Sequence, residues 1–193
     1  LMAVPKEQIR IPPKEVYTYA DYAALPEGAP YQLIGGRLVM TPAPSAHHQL
    51  VSIRLVERLL PFNALRRLGT ILYAPVDVYL AETETYQPDI IFISNERRNI
   101  LEATRVNGAP DLVIEILSPY TAYYDLRVKS RVYARHGVRE YWVVDPMERS
   151  VELYAAREGR FELVSRVEEE GTVASIVLEG FAVEARELFV DLP

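Results

Sequence analysis

One run constrains this chain more than any other: DLVIEILS, residues 111–118, an apolar stretch with a single carboxylate, Glu115, at its centre. Alternation along a strand puts Asp111, Val113, Glu115 and Leu117 on one face and Leu112, Ile114 and Ile116 on the other. A strand apolar on both faces is covered on both, as in the middle of a layered sheet. Burying an unpaired carboxylate is expensive, so Glu115 needs either a counter-charge or a task.

The rest of the chain surrounds that strand with helices and further strands. The 193 residues amount to about one domain. Residues 1–16, with prolines at 5, 12 and 13, read as an arm, and 17–193 as a single domain. Thr18 is placed to cap a short helix through YADYAAL. YQLI and RLVM flank Gly35-Gly36 as a hairpin. Ser45 is placed to cap a helix to about Leu60, with His48, Val51, Leu55 and Leu59 forming its apolar stripe. One strand is expected from Gly69 to Leu80 and another from Gln87 to Ser94, then a polar, broken segment to Pro110. A helix from Ala122 to His136 stops at Gly137. REYWVVDP is a strand, SVELYAA and RFELVSRV a hairpin around Glu158-Gly159, and the tail an edge segment with a helical turn. The pattern is α/β, a mixed central sheet flanked by helices with additional β-hairpins.

Two carboxylates and a lysine are placed to meet. Asp89 projects at the start of the IIFI strand. Asp125, Lys129 and Tyr133 recur every four residues on one side of their helix. Lysines number three against eighteen arginines, and Lys129 is the one in the body of the chain. Asp89 and Glu115, with the Ile116 backbone carbonyl, make a hard-oxygen set suited to Mg²⁺ or Mn²⁺, which polarises a phosphoryl oxygen. A lysine beside it orients water and offsets charge on phosphate. The competing reading is an ion pair between Glu115 and a basic side chain, and spacing alone does not choose between them. Of His47 and His48, one is expected in solvent and one packed, with His48 at the edge of the stripe the better functional candidate.

Composition narrows the classes. A net charge of −6 argues against a uniformly basic nucleic-acid binder but leaves room for a local basic cleft. The absence of cysteine excludes disulfides, thiolate nucleophiles and cysteine-ligated metals. No apolar run reaches the roughly 18 residues of a membrane span, and the prolines and charges of the first residues are unlike a signal peptide, so a cytoplasmic protein is expected. Arg66-Arg67, Arg97-Arg98, Arg127, Arg131 and Arg135 are either phosphate contacts or solvated surface. Trp142 and most tyrosines read as packed, with Tyr123 and Tyr124 candidates to flank the site.

The stretches YQLIGGRLV, SAHHQ, QPDIIFI, PDLVIEILSP, YYDLRVKSRVYARHGVREYWVVDP and RELF together resemble the Uma2 family, within the PD-(D/E)XK nuclease superfamily, over about residues 17–190. The resemblance implies a restriction-endonuclease-like core and metal-dependent hydrolysis of DNA phosphodiesters. It matches Asp89 to the first motif aspartate, Glu115 to the acidic strand residue and His48 to the helix-start histidine. The superfamily lysine two residues after the acid falls at Leu117, and Lys129 on the next helix takes its place. Gln32 stands where the family carries glutamate in a YEL-like segment, which leaves a neutral ligand and weaker metal affinity or activity as the expectation. The alternative is a nucleic-acid or protein-binding module that keeps the fold without cleavage, and a third reading is a purely structural α/β protein. A homo-oligomer, most simply a dimer, is expected if VELYAA and FAVEA are apolar edges.

Overall fold

Hydrogen-bonded pairing sorts the strands into three sheets in a computed structural model that describes residues 11–193. The expected arm lies outside the described residues up to residue 10, and residues 11–16 form no helix or strand. The chain begins with α1 (Tyr19–Ala23), preceded by Thr18, whose amide donates to the Asp21 carboxylate at 3.0 Å. The hairpin β1 (Tyr31–Ile34) and β2 (Arg37–Met40) follows. Its turn takes positive φ at both Gly35 and Gly36, which a side chain would strain.

Helix α2 (Ala46–Arg66) starts where expected, with Ser45 accepting from the His48 amide, but runs six residues past Leu60. Pro61 lies inside it. Pro61 and Glu57 are both exposed, so the carbonyl that loses its partner faces water and the helix continues. The single strand expected over 69–80 is two strands in different sheets: β3 (Gly69–Tyr73) and β4 (Val78–Ala81), separated at Pro75, which has no N–H to give a ladder. After β5 (Glu84–Tyr86) comes β6 (Ile90–Ser94), shorter than expected because Gln87–Asp89 bridges between sheets. The broken segment holds a 3₁₀ turn (Asn95–Ile100) and β7 (Val106–Asn107).

The acid-bearing run is β8 (Leu112–Ile116), buried at every position. A π-helical segment (Tyr124–Lys129) continues into α3 (Ser130–His136), where one α-helix is expected, and Gly137 ends it at φ 100°. Next come β9 (Glu140–Asp145), the hairpin β10 (Ser150–Arg157) and β11 (Arg160–Glu168), the pair β12 (Thr172–Ala174) and β13 (Ala182–Glu184), and α4 (Ala185–Phe189).

The six-stranded sheet runs β11-β10-β9-β8-β6-β3, parallel only at β8–β9, where the π/α3 helix makes the crossover. A five-stranded sheet, β2-β1-β5-β4-β7, stands beside it. VELYAA belongs to β10, hydrogen-bonded on both sides, so it is no edge; β11 is. The two faces of β8 serve two cores. Leu112, Ile114 and Ile116 pack with Val51, Leu55 and Leu59 of α2, with Trp142 and with α4. Val113 and Leu117 pack with Val132 and Tyr133 of α3. Glu115 points to the second face, under α3. Among the described residues, no helix is long and apolar enough to cross a membrane.

Candidate active site

The site forms where the C-terminal end of β8 meets the start of β6. Asp89 enters β6 with its Oδ2 accepting from the Ile116 amide at 2.7 Å, which ties the two strands together. The Ser45 cap fixes the first turn of α2 so that His48 turns inward, its Nε2 3.0 Å from Asp89 Oδ1. From the opposite layer, Lys129 Nζ and the Tyr133 hydroxyl both donate to Glu115 Oε1, at 3.0 and 2.8 Å. Asp125 Oδ1 lies 2.7 Å from Nζ as an ion pair, though without a well-directed hydrogen bond. Lys129 therefore serves two carboxylates four residues before it and across the sheet.

Two carboxylates share the Lys129 ammonium while the third, Asp89, faces His48, and the electrostatics follow from that arrangement. Burial opposes the charge on Lys129, but Glu115 and Asp125 hold its pKa above the ordinary lysine value. Burial pushes the Glu115 carboxyl up to about 8; Lys129 and the Tyr133 hydrogen bond work against this, while the charges of Asp125 and Asp89 add to it. Both shifts express one fact: the ammonium keeps its proton and the acids compete for what charge remains. For His48, burial favours the neutral ring, yet the Asp89 hydrogen bond and charge, the Asp125 charge and the Ile116 carbonyl raise its pKa above the usual histidine value. Two polar atoms of the cluster, His48 Nδ1 and Asp125 Oδ1, are buried without a hydrogen-bond partner.

The structure thus brings together Asp89, Glu115, Lys129, His48 and the Ile116 backbone. Gln32 is buried but makes no hydrogen bond to them: its Oε1 accepts from the Gln87 amide at 2.8 Å and its Nε2 donates to Thr41 Oγ1 at 3.2 Å. His47 is half-buried against the Pro193 carbonyl, so neither histidine stands free in solvent. Asp125 and Tyr133 join the cluster without having been singled out as site residues; their spacing of four from Lys129 is the signal that identifies them. Asp111, on the same face as Glu115, serves the far end of β8, where it accepts from the Ser94 amide at 2.7 Å and lies 3.6 Å from Arg97 and Arg139. Tyr123 is exposed and packs edge-to-face on Tyr124, 5.5 Å between centroids. Trp142 is fully buried, and its indole N–H donates to Glu140. Among the described residues, no three His, Cys, Asp or Glu side chains group to hold a metal ion.

Comparison with known proteins gives this geometry a family. The chain is 28% identical over 144 residues to "Uncharacterized protein sll1609" of Synechocystis sp., covering 72% of this chain and 81% of that protein. Its fold is similar to that of a crystal structure described as a putative nuclease belonging to DUF820 from Anabaena variabilis ATCC 29413, with a TM-score of 0.74 and 22% identity across 89% of this chain and 97% of the other. A family model described as "Putative restriction endonuclease" matches residues 19–186, nearly the whole described chain, and the chain therefore belongs to the Uma2 family.

Proposed function

We propose that the chain is a divalent-metal-dependent endonuclease of the PD-(D/E)XK type that hydrolyses phosphodiester bonds of DNA, acting in the cytoplasm as a homodimer. The observation that carries the reading is the convergence of three carboxylates, Asp89, Glu115 and Asp125, with Lys129 and His48 at one end of β8. The donors are carboxylate and carbonyl oxygens, a hard set that fits Mg²⁺ or Mn²⁺. Mg²⁺ keeps several waters and takes one or two protein carboxylates, so a set short of three side-chain ligands is no obstacle. Asp89, Glu115 and the Ile116 carbonyl would hold the ion, which contributes Lewis-acid polarisation of a phosphoryl oxygen.

The other roles belong to the chain's own side chains. Lys129, fixed by Glu115 and Asp125, offsets charge developing on the phosphate and orients the attacking water. His48, whose Nε2 lies 3.0 Å from Asp89 Oδ1, contacts phosphate or a metal-bound water at the rim of the site. Gln32 acts at one remove, through Gln87, by positioning the segment that leads into Asp89. The dimer reading is supported by the outer edge of β11, where Leu163 and Val164 are exposed.

Incubation of the full chain with single-stranded, double-stranded and branched DNA and Mg²⁺ or Mn²⁺ tests the reading. Metal-dependent cutting is expected, and loss of at least about 100-fold in Asp89→Ala and Lys129→Ala, on the scale of removing one preorganised electrostatic group. A thermal shift with metal alone, present in wild type and absent in Glu115→Gln, provides a readout independent of turnover. Equal shifts in both proteins would sink the site. A specific observation favours the alternative of a binding module without cleavage: both ends of the Gln32 amide are engaged in structural hydrogen bonds. Binding without cutting in wild type, with cutting restored by Gln32→Glu, would establish it.

A further inference from the structure

On the other flank of the Lys129 helix lies a groove of about 570 Å³ between α3 and the β10–β11 hairpin. Arg131 and Arg135 stand on its helical wall and Arg160 on the hairpin, all three exposed. Its floor is aromatic. Phe161 stacks on the buried Tyr141, 5.3 Å between centroids and 21° between planes, with Tyr154 beside them. Phe161 and Tyr154 are only half-buried, so ring surface remains open to the groove.

On the same hairpin, Arg157 is paired with Glu162, and Arg166 with Glu152 and Glu168. Arg131, Arg135 and Arg160 make no ion pair with a carboxylate among the described residues, in a chain with 27 acidic residues against 21 basic ones. Three unpaired guanidiniums around an aromatic floor specify a ligand that is both anionic and planar. Phosphates suit the guanidinium fork, and unstacked bases suit the ring faces. An acidic peptide would use the charge and leave the floor idle. A duplex would keep its bases stacked on each other. Arg131 and Arg135 lie four residues apart, about 6 Å along the axis, and so address successive phosphates rather than one.

We propose that this groove binds a single strand of nucleic acid, with phosphates on Arg131, Arg135 and Arg160 and a base against Phe161 and Tyr154. The floor is linked to the carboxylate cluster by one hydrogen bond, from the Tyr141 hydroxyl to the Asp125 carbonyl at 3.0 Å. The strand therefore lies one helix away from Lys129. The groove is argued from its own residues and holds whether or not the cluster cleaves phosphodiesters.

Fluorescence anisotropy of labelled oligothymidine with the full chain, in EDTA and across a salt series, tests it. Log affinity should fall linearly with log salt. In Arg131→Ala/Arg135→Ala the slope should drop by about 1.4, two single-strand phosphate contacts at about 0.7 each. Phe161→Ala should weaken binding at least about five-fold and leave the slope alone, since it removes stacking and no charge, while Phe161→Tyr retains binding. Arg127→Ala, exposed on the same helix outside the groove, should change neither quantity. An unchanged slope in the double variant overturns the proposal. So does displacement of the oligonucleotide by polyglutamate as readily as by unlabelled strand, or duplex binding as tightly as single strand. Absence of binding in wild type overturns it too, and leaves metal-dependent cleavage at the cluster as a separate question.

Discussion

At the scale of single residues, the cluster makes stability depend on pH in a defined direction. Glu115 and His48 both have folded-state pKa values above their unfolded ones, so the folded chain binds more protons and stability falls as pH rises. The Glu115 contribution is fully present below 4.5 and lost as pH climbs through about 8. That of His48 is present below 6.5 and lost as pH rises through its raised folded value. In urea unfolding of the metal-free protein across this range, Glu115→Gln should flatten the decline, with the difference from wild type growing toward pH 8 by on the order of 1 kcal/mol or more. A parallel decline in the variant would show that Glu115 is an ordinary ion-pair partner. Glu115 is legible in the sequence because a carboxylate interrupts an apolar strand, and Lys129 because no other lysine lies in the body of the chain. Asp125 and Tyr133 are visible only as its neighbours at four residues, and sequence spacing does not show that both converge with it on one carboxylate.

At the scale of elements, the π-helical segment matters most. Tyr124–Lys129 carries one residue more per set of turns than an α-helix would, and such insertions often accompany functional sites. Deleting the exposed Arg127 should return the segment to α-helix and rotate Asp125 relative to Lys129 and Tyr133. Helix content by circular dichroism should hold, while the proposed cleavage falls about 100-fold, as for reacting groups displaced by about 1 Å. Cleavage at the wild-type rate would mean that the π geometry contributes nothing. Apolar periodicity reveals that a helix lies here but does not distinguish i+4 from i+5 bonding, because Asp125, Lys129 and Tyr133 share a side in either reading. The 69–80 segment fails for a related reason: its residues favour strand on both sides of Pro75, and only the change of sheet reveals two elements. Gly69 marks how tightly the first of them is seated, since a Cβ there would stand 2.1 Å from the Ile93 carbonyl oxygen.

At the scale of the whole molecule, a buried carboxylate outside the cluster holds the C-terminal segment to the sheet. Glu140, at the start of β9, accepts from the Trp142 indole, Ser175 Oγ and the amides of Ile176 and Val177. Three of these partners, Ser175, Ile176 and Val177, lie 35 to 37 residues further on, a separation that no local motif announces. Glu140→Ala would strand four donors, and at about 1–3 kcal/mol for each buried unsatisfied group should lower the urea unfolding free energy by at least about 3 kcal/mol. A loss under about 1 kcal/mol would mean that water replaces the carboxylate. The cluster joins the layers differently. His48 comes from the helix that packs on one face of β8, and Lys129 from the helix that packs on the other. A chain that has seated only one layer therefore possesses half the cluster, and the proposed activity requires both layers to be in place.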